Sequence, residues 1–176
     1  MTTRNRLVEA AAGVFNDAGY FGTDTNRLAR AAGFAPGTFY KHFADKREIF
    51  LAAYARWVET ELDAIRAAAG RRGRGRGRAI VREVLAHHRR WAGFRRSLRA
   101  LAATDEVVRA YWIERRRAQI DFFASFGGET RRARTDWVYV QLTFERIADA
   151  IADGEAKALG ASEASLTKRL EALLSA

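Results

Sequence analysis

The sequence predicts an all-α fold of about nine helices, and three observations carry this. Apolar residues recur at three- and four-residue spacing along most of the 176 residues. No segment alternates apolar and polar side chains as a strand would. A single proline beside 14 glycines suits helices broken by short loops. With 48% hydrophobic residues, the chain can bury a core.

The first helix is expected over residues 3–18. Leu7, Ala11, Val14, Phe15 and Ala18 form its apolar stripe, and Gly19 ends it. A second, short helix begins at Thr25, whose hydroxyl is suited to cap it. Leu28, Ala29 and Ala32 share one face, and Gly33 stands where a helix stop requires positive φ. Pro36 suits the first position of a third helix, because its missing N–H would be unpaired there in any case. Phe39 and Phe43 are one turn apart and face inward. Gly37, Thr38, Lys41 and His42 face elsewhere, with Tyr40 at the border. A helix that hides its rings and shows small, hydrogen-bonding and cationic groups has the make-up of one that lies in a DNA major groove.

Asp45 with Glu48 three residues on reads as a capping box for a fourth helix. Its apolar residues, from Ile49 to Ile65, occupy more than one stripe, so it should touch two bodies and act as a lever between them. Residues 70–78 (GRRGRGRGR) form a low-complexity linker. Residues 79–103 are helical in pattern, with Gly93 as the point of division. Thr104 or Asp105 caps a helix that runs to about Phe126, where Gly127 and Gly128 stop it. Another helix is expected over about 129–153. Ser162 caps the final one, whose edge is Leu166, Leu170, Leu173 and Leu174. The expected domains are a helix-turn-helix unit over 1–46 and a helical bundle over 47–176.

Net charge is +10, which points to a polyanionic partner. The excess is not in the helix-turn-helix. Residues 1–46 carry six Lys/Arg against four acids, whereas residues 66–99 carry twelve Arg against Glu83 alone. The Arg/Gly linker is either a solvated spacer or an arm that touches phosphate without reading sequence.

Other classes find little support. The chain has no cysteine, which removes disulfides, thiolate metal sites and thiol catalysis. No apolar run is long enough to span a membrane, and the N-terminus lacks a signal-peptide core, so a cytoplasmic protein is expected. No glycine motif that cradles phosphate is present. His87 and His88 are adjacent, which points them about 100° apart on a helix and suits a shared metal poorly. No enzyme, metal or cofactor is therefore expected.

The stretch Thr25 … Ala32-Gly33-Phe34-Ala35-Pro36-Gly37-Thr38-Phe39-Tyr40-Lys41-His42-Phe43-Ala44-Asp45-Lys46 resembles the TetR family of bacterial transcriptional regulators. The likeness is close over residues 4 to about 50 and one of architecture beyond. It departs at Ala35, where the family usually has serine, losing a helix cap worth ~1 kcal/mol. Pro36 offsets part of this by presetting the backbone. The resemblance implies double-stranded DNA as partner, with Thr25, Tyr40, His42 and Lys46 at phosphates. Asn26 would reach a phosphate or a base edge. Pro36, Gly37 and Thr38 open the recognition helix, where Gly37 and Thr38 approach backbone or bases closely, and Lys41 reads a base. Tyr40 also has a plainer reading as partial core, and His42 as a charge partner at the helix C-terminus.

The resemblance further implies a homodimer built by the last two helices and a small-molecule effector held in the bundle. Trp57, His87, Trp91, Tyr111, Trp137 and Phe144 are candidates to line a mostly apolar pocket, to which Gln141 or Glu145 would add polarity. The same rings also suit an ordinary core. The function expected is a repressor released from a palindromic operator by an apolar ligand. The alternative is a DNA-binding protein without such an effector, architectural or controlled by a protein partner.

Overall fold

A computed structural model describes residues 1–70, 75–126 and 133–175. Among the described residues there are ten helices and no strand. They are α1 (Thr3–Ala18), α2 (Thr25–Ala31), α3 (Pro36–Tyr40), α4 (Lys46–Ala69), α5 (Arg76–Arg90), α6 (Ala92–Thr104), α7 (Glu106–Phe126), α8 (Arg134–Ala152), α9 (Glu155–Ala158) and α10 (Glu163–Ser175). The one beyond expectation is α9, a single turn entered through Gly154 at φ 79°. The long helical stretch divides at Trp91, and α5 already begins at Arg76, inside the expected linker. The rest of that Arg/Gly segment, 71–74, lies outside the described residues. So do 127–132, with the expected Gly127-Gly128 stop and the start expected for the next helix.

The chain forms two compact units. One holds residues 1–59 and 93–112, the other 60–92 and 113–176. The first unit therefore extends past residue 46, and α6 completes its core. Phe50 of α4 stacks on Phe94 of α6 at 4.7 Å between centroids, and Phe15 of α1 meets both edge-on, at 5.0 and 6.4 Å. All three rings are fully buried. Asn16 Oδ1 accepts from the Phe94 N–H at 3.1 Å, so the α1 backbone and α6 pass very close at Gly93. Asp105 caps α7, accepting from Val107 and Val108 N–H, and pairs with Arg47 at 3.2 Å. The Val108 N–H, more than the Arg47 guanidinium, holds the Asp105 carboxyl below the usual carboxylate range.

In the second unit, α5 packs on α8 and α10. Val81, Val84 and Leu85 meet Val140, Phe144 and Ala148, with Ile65, Ile120, Trp137 and Leu170 completing one cluster. The spacing of these residues on each helix gives one apolar stripe per helix, so burial follows the sequence pattern directly.

Two glycines separate backbone fit from helix propensity. A Cβ at Gly93 would lie 1.9 Å from the Asn16 carbonyl oxygen, whereas one at Gly13, in α1, meets nothing within 4 Å. Urea unfolding should show Gly93→Ala destabilised by about 1–3 kcal/mol. Gly13→Ala should be stabilised by about 0.5–1 kcal/mol in the same assay.

Candidate nucleic-acid interface

The N-terminal half of the site is built by caps and turns. Asp24, not Thr25, is the N-cap of α2: its Oδ1 accepts from the Arg27 N–H at 2.8 Å. Both residues are good cap types, and the extended backbone at Asp24, φ −130°, puts the cap one position earlier than expected. Thr25 becomes the first helical residue. Its Oγ1 lies 2.9 Å from the Tyr40 hydroxyl, a side-chain hydrogen bond joining α2 to α3. Gly33, at φ 77°, turns the chain after α2, and the Phe34 N–H returns to the Ala29 carbonyl at 3.0 Å.

Ala35 precedes α3 without a side-chain cap, as its departure from serine implies, and Pro36 opens the helix. Phe39 and Phe43 are buried. Tyr40 is 60% exposed, its ring edge-on to Phe39, so it both packs and faces solvent. Pro36, Gly37, Lys41 and Asn26 are exposed, while Thr25, Thr38 and His42 are half-buried. Lys46 is turned differently. Its Nζ donates to the carbonyls of Tyr20 and Thr23, both at 2.9 Å, and sits 4.3 Å from the Tyr20 ring centre.

Sequence reasoning missed two arginines that brace the turn from α1. Arg4 lies over the Phe43 ring at 4.8 Å; Arg6 lies over the Phe34 ring at 4.6 Å and donates to the Ala32 carbonyl at 3.2 Å. Only the three-dimensional proximity of the rings gives them a role.

Residues 7–53 match the bacterial regulatory proteins of the tetR family. The chain belongs to the TetR family. It is 32% identical over 120 residues to the HTH-type transcriptional repressor AcnR of Corynebacterium diphtheriae, a match covering 67% of this chain and 60% of that protein. It is 35% identical over 65 residues to the HTH-type transcriptional activator FasR of Mycolicibacterium smegmatis, covering 37% and 30%. The chain thus spans 60% or less of these curated relatives. The fold is shared with a transcriptional regulator from Rhodococcus sp., with a TM-score of 0.77 at 23% identity over 99% of this chain and 95% of that one. These relatives are named for the control of transcription, not for catalysis.

In this TetR-family chain the centre of the second unit is polar. The His88 Nδ1 lies 2.9 Å from Asp149 Oδ1, and its Nε2 lies 3.4 Å from Glu61 Oε1. Gln119 Nε2 donates to Glu61 Oε2 at 2.9 Å, and Gln141 Nε2 to Gln119 Oε1 at 3.5 Å. Arg116 pairs with Glu145 beside them. The network therefore joins α4, α5, α7 and α8. Each ring nitrogen of His88 thus faces a carboxylate oxygen. It borders a cavity of about 20 Å³ lined by Glu61, Val84, His88, Gln119, Phe123, Gln141, Phe144 and Glu145. That is room for one water held by polar partners.

Of the six residues expected to line a pocket, Phe144 borders this cavity. Trp137 belongs to the apolar cluster of the same unit, with His87 buried and Trp91 half-buried. Trp57 and Tyr111 belong to the first unit, where Tyr54 contacts both rings. Gln141 and Glu145 also line this cavity. Glu61, His88, Gln119 and Asp149 were not foreseen. No group of three or more His, Cys, Asp or Glu side chains among the described residues is arranged to hold a metal ion.

Asp149 and the His88 ring are both more than nine-tenths buried, so removing Asp149 takes one of the ring's two carboxylates from a site that water barely reaches. Asp149→Ala should lower the unfolding free energy by about 3–5 kcal/mol in urea. A loss under about 1 kcal/mol would mean that the network adds little to the stability of this unit.

Proposed function

We propose that this chain is a DNA-binding transcriptional regulator that acts as a homodimer and represses by occupying a palindromic operator. The observation that carries the reading is the surface at α2 and α3. Asn26, Gly37 and Lys41 are exposed, and Thr25 and Tyr40 are hydrogen-bonded to each other at its edge. In this reading Lys41 reads a base edge, while Thr25, Tyr40 and His42 position the helix on phosphates. Pro36, Gly37 and Thr38 let its N-terminus approach closely.

A helix of five residues offers too little contact to bind tightly alone, and a two-fold dimer doubles it. We assign the dimer face to α8 and α10, the last two long helices. The support is on α8, where Tyr139 and Leu142 are 61% and 47% exposed one turn apart. Repression by steric occlusion asks nothing more of the protein, and the AcnR relatives carry that role in their names.

The effector, in this reading, enters the second unit at the polar cavity and shifts the dimer away from its DNA-competent form. Carboxylates and amides on the lining favour a compound that brings hydrogen-bond donors along with an apolar body, a more polar ligand than the sequence suggests. The carrier of the shift is α4, whose residues 46–59 belong to one unit and 60–69 to the other. The size of the cavity favours a second reading, DNA binding without a small-molecule effector. Room for one water is far below the several hundred Å³ of an ordinary ligand site.

Selection of bound DNA from random sequence tests the function. A palindrome with half-sites about one helical turn apart, or a multiple of it, is expected. Broad, sequence-independent coverage would contradict it. On the selected site, Lys41→Ala should cost ~1–3 kcal/mol and relax preference at a single position of each half-site. Equal loss on all sequences would remove Lys41 from base reading.

A further inference from the structure

The Lys46 ammonium is the least expected member of the site. Its place at the start of α4 resembles a phosphate-binding lysine, yet two of its three N–H groups are spent on the backbone of the α1–α2 loop. The two carbonyls belong to Tyr20 and Thr23, and the same charge lies against the Tyr20 ring. That loop is also tied at its other end, where the Ser97 hydroxyl accepts from the Tyr20 N–H at 3.0 Å. Immediately after Thr23 comes Asp24, the cap of α2, and then Thr25 and Asn26. Arg27 closes the same short loop from the α2 side, donating to the Gly22 carbonyl at 3.2 Å. Each link is made by a short, charge-assisted or buried hydrogen bond, and the chain between them is too short to swing freely.

We propose that Lys46 is a positioning residue: it ties the first turn of α4 to the α1–α2 loop and thereby sets the place of α2 and its DNA-facing residues, in preference to contacting phosphate. This rests on the DNA-binding reading above. If α4 shifts at its first turn, Lys46 draws the Tyr20 and Thr23 carbonyls with it, and α2 follows through Asp24. A control signal carried by α4 thus reaches α2 by hydrogen bonds rather than by the covalent path through α3.

Charge and position separate in the salt dependence. A lysine that neutralises a phosphate contributes about 0.9 to the slope of log K against log salt for each contact, whereas a tie made inside the protein contributes none. Lys46→Met should weaken operator binding by about tenfold at fixed salt and leave that slope unchanged. In the DNA-free protein it should also speed hydrogen exchange at the Arg27 and Leu28 amides, which bond to Asp24. Ser97→Ala is the second variant. Ser97 is buried and uncharged, and losing its bond to Tyr20 should likewise weaken binding with no change of slope. A slope shallower by about 0.9 per protomer in Lys46→Met would overturn the proposal. So would unaltered exchange at Arg27 and Leu28. If the unsubstituted protein selects no DNA site, the DNA-binding reading fails by itself, and the exchange measurement still decides whether Lys46 holds α2.

Discussion

The stack of Phe50 on Phe94, with Phe15 against both, is the contact on which the first unit depends. The α2 and α3 helices have seven and five residues. Helices this short are marginal in water, so they hold their shape only through packing. The α2 helix packs on α1 and α3 packs on α2, while the ring stack fixes α1 to α4 and α6. Phe39 and Phe43 anchor α3, and Arg4, Arg6 and Lys46 fasten the connecting turns from outside. The hydroxyl pair of Thr25 and Tyr40 then fixes the two short helices to each other. The α2–α3 surface is thus set by packing and by ties made within the protein.

Local signals made much of this legible in the sequence. The bounds of α1, the positive φ at Gly33, Pro36 at the start of α3 and the Asp45 cap of α4 all depend on one residue and its near neighbours. The choice between Asp24 and Thr25 as cap was not legible, since both types cap well and the backbone decides. Nor was the part played by α6. Periodicity shows that Phe94 lies on an apolar stripe, but not that its partners are Phe15 and Phe50, more than forty residues away in sequence. The short α9 turn was hidden for a similar reason, because four residues are too few to show a period.

The second unit illustrates the opposite error. Its aromatic residues drew attention as pocket walls, and Trp137 is instead part of the packed cluster. The polar residues Glu61, Gln119 and Asp149 carry no signal in the apolar pattern, yet each is more than nine-tenths buried. A binary pattern cannot distinguish a polar residue facing water from one facing another polar residue across a core. Such a network is stable only when its members satisfy one another.

The central claim is that the five-residue α3 holds its exposed face because a ring on α6, far off in sequence, fixes α1, on which α2 and then α3 are packed. Hydrogen exchange of the full chain with Phe94→Ala tests this most directly, read at the backbone amides of α2 and α3. The account predicts faster exchange at Leu28, Ala32, Thr38 and His42, comparable in extent to that within α6 itself. Exchange that rises in α6 while these four amides keep their protection would contradict it.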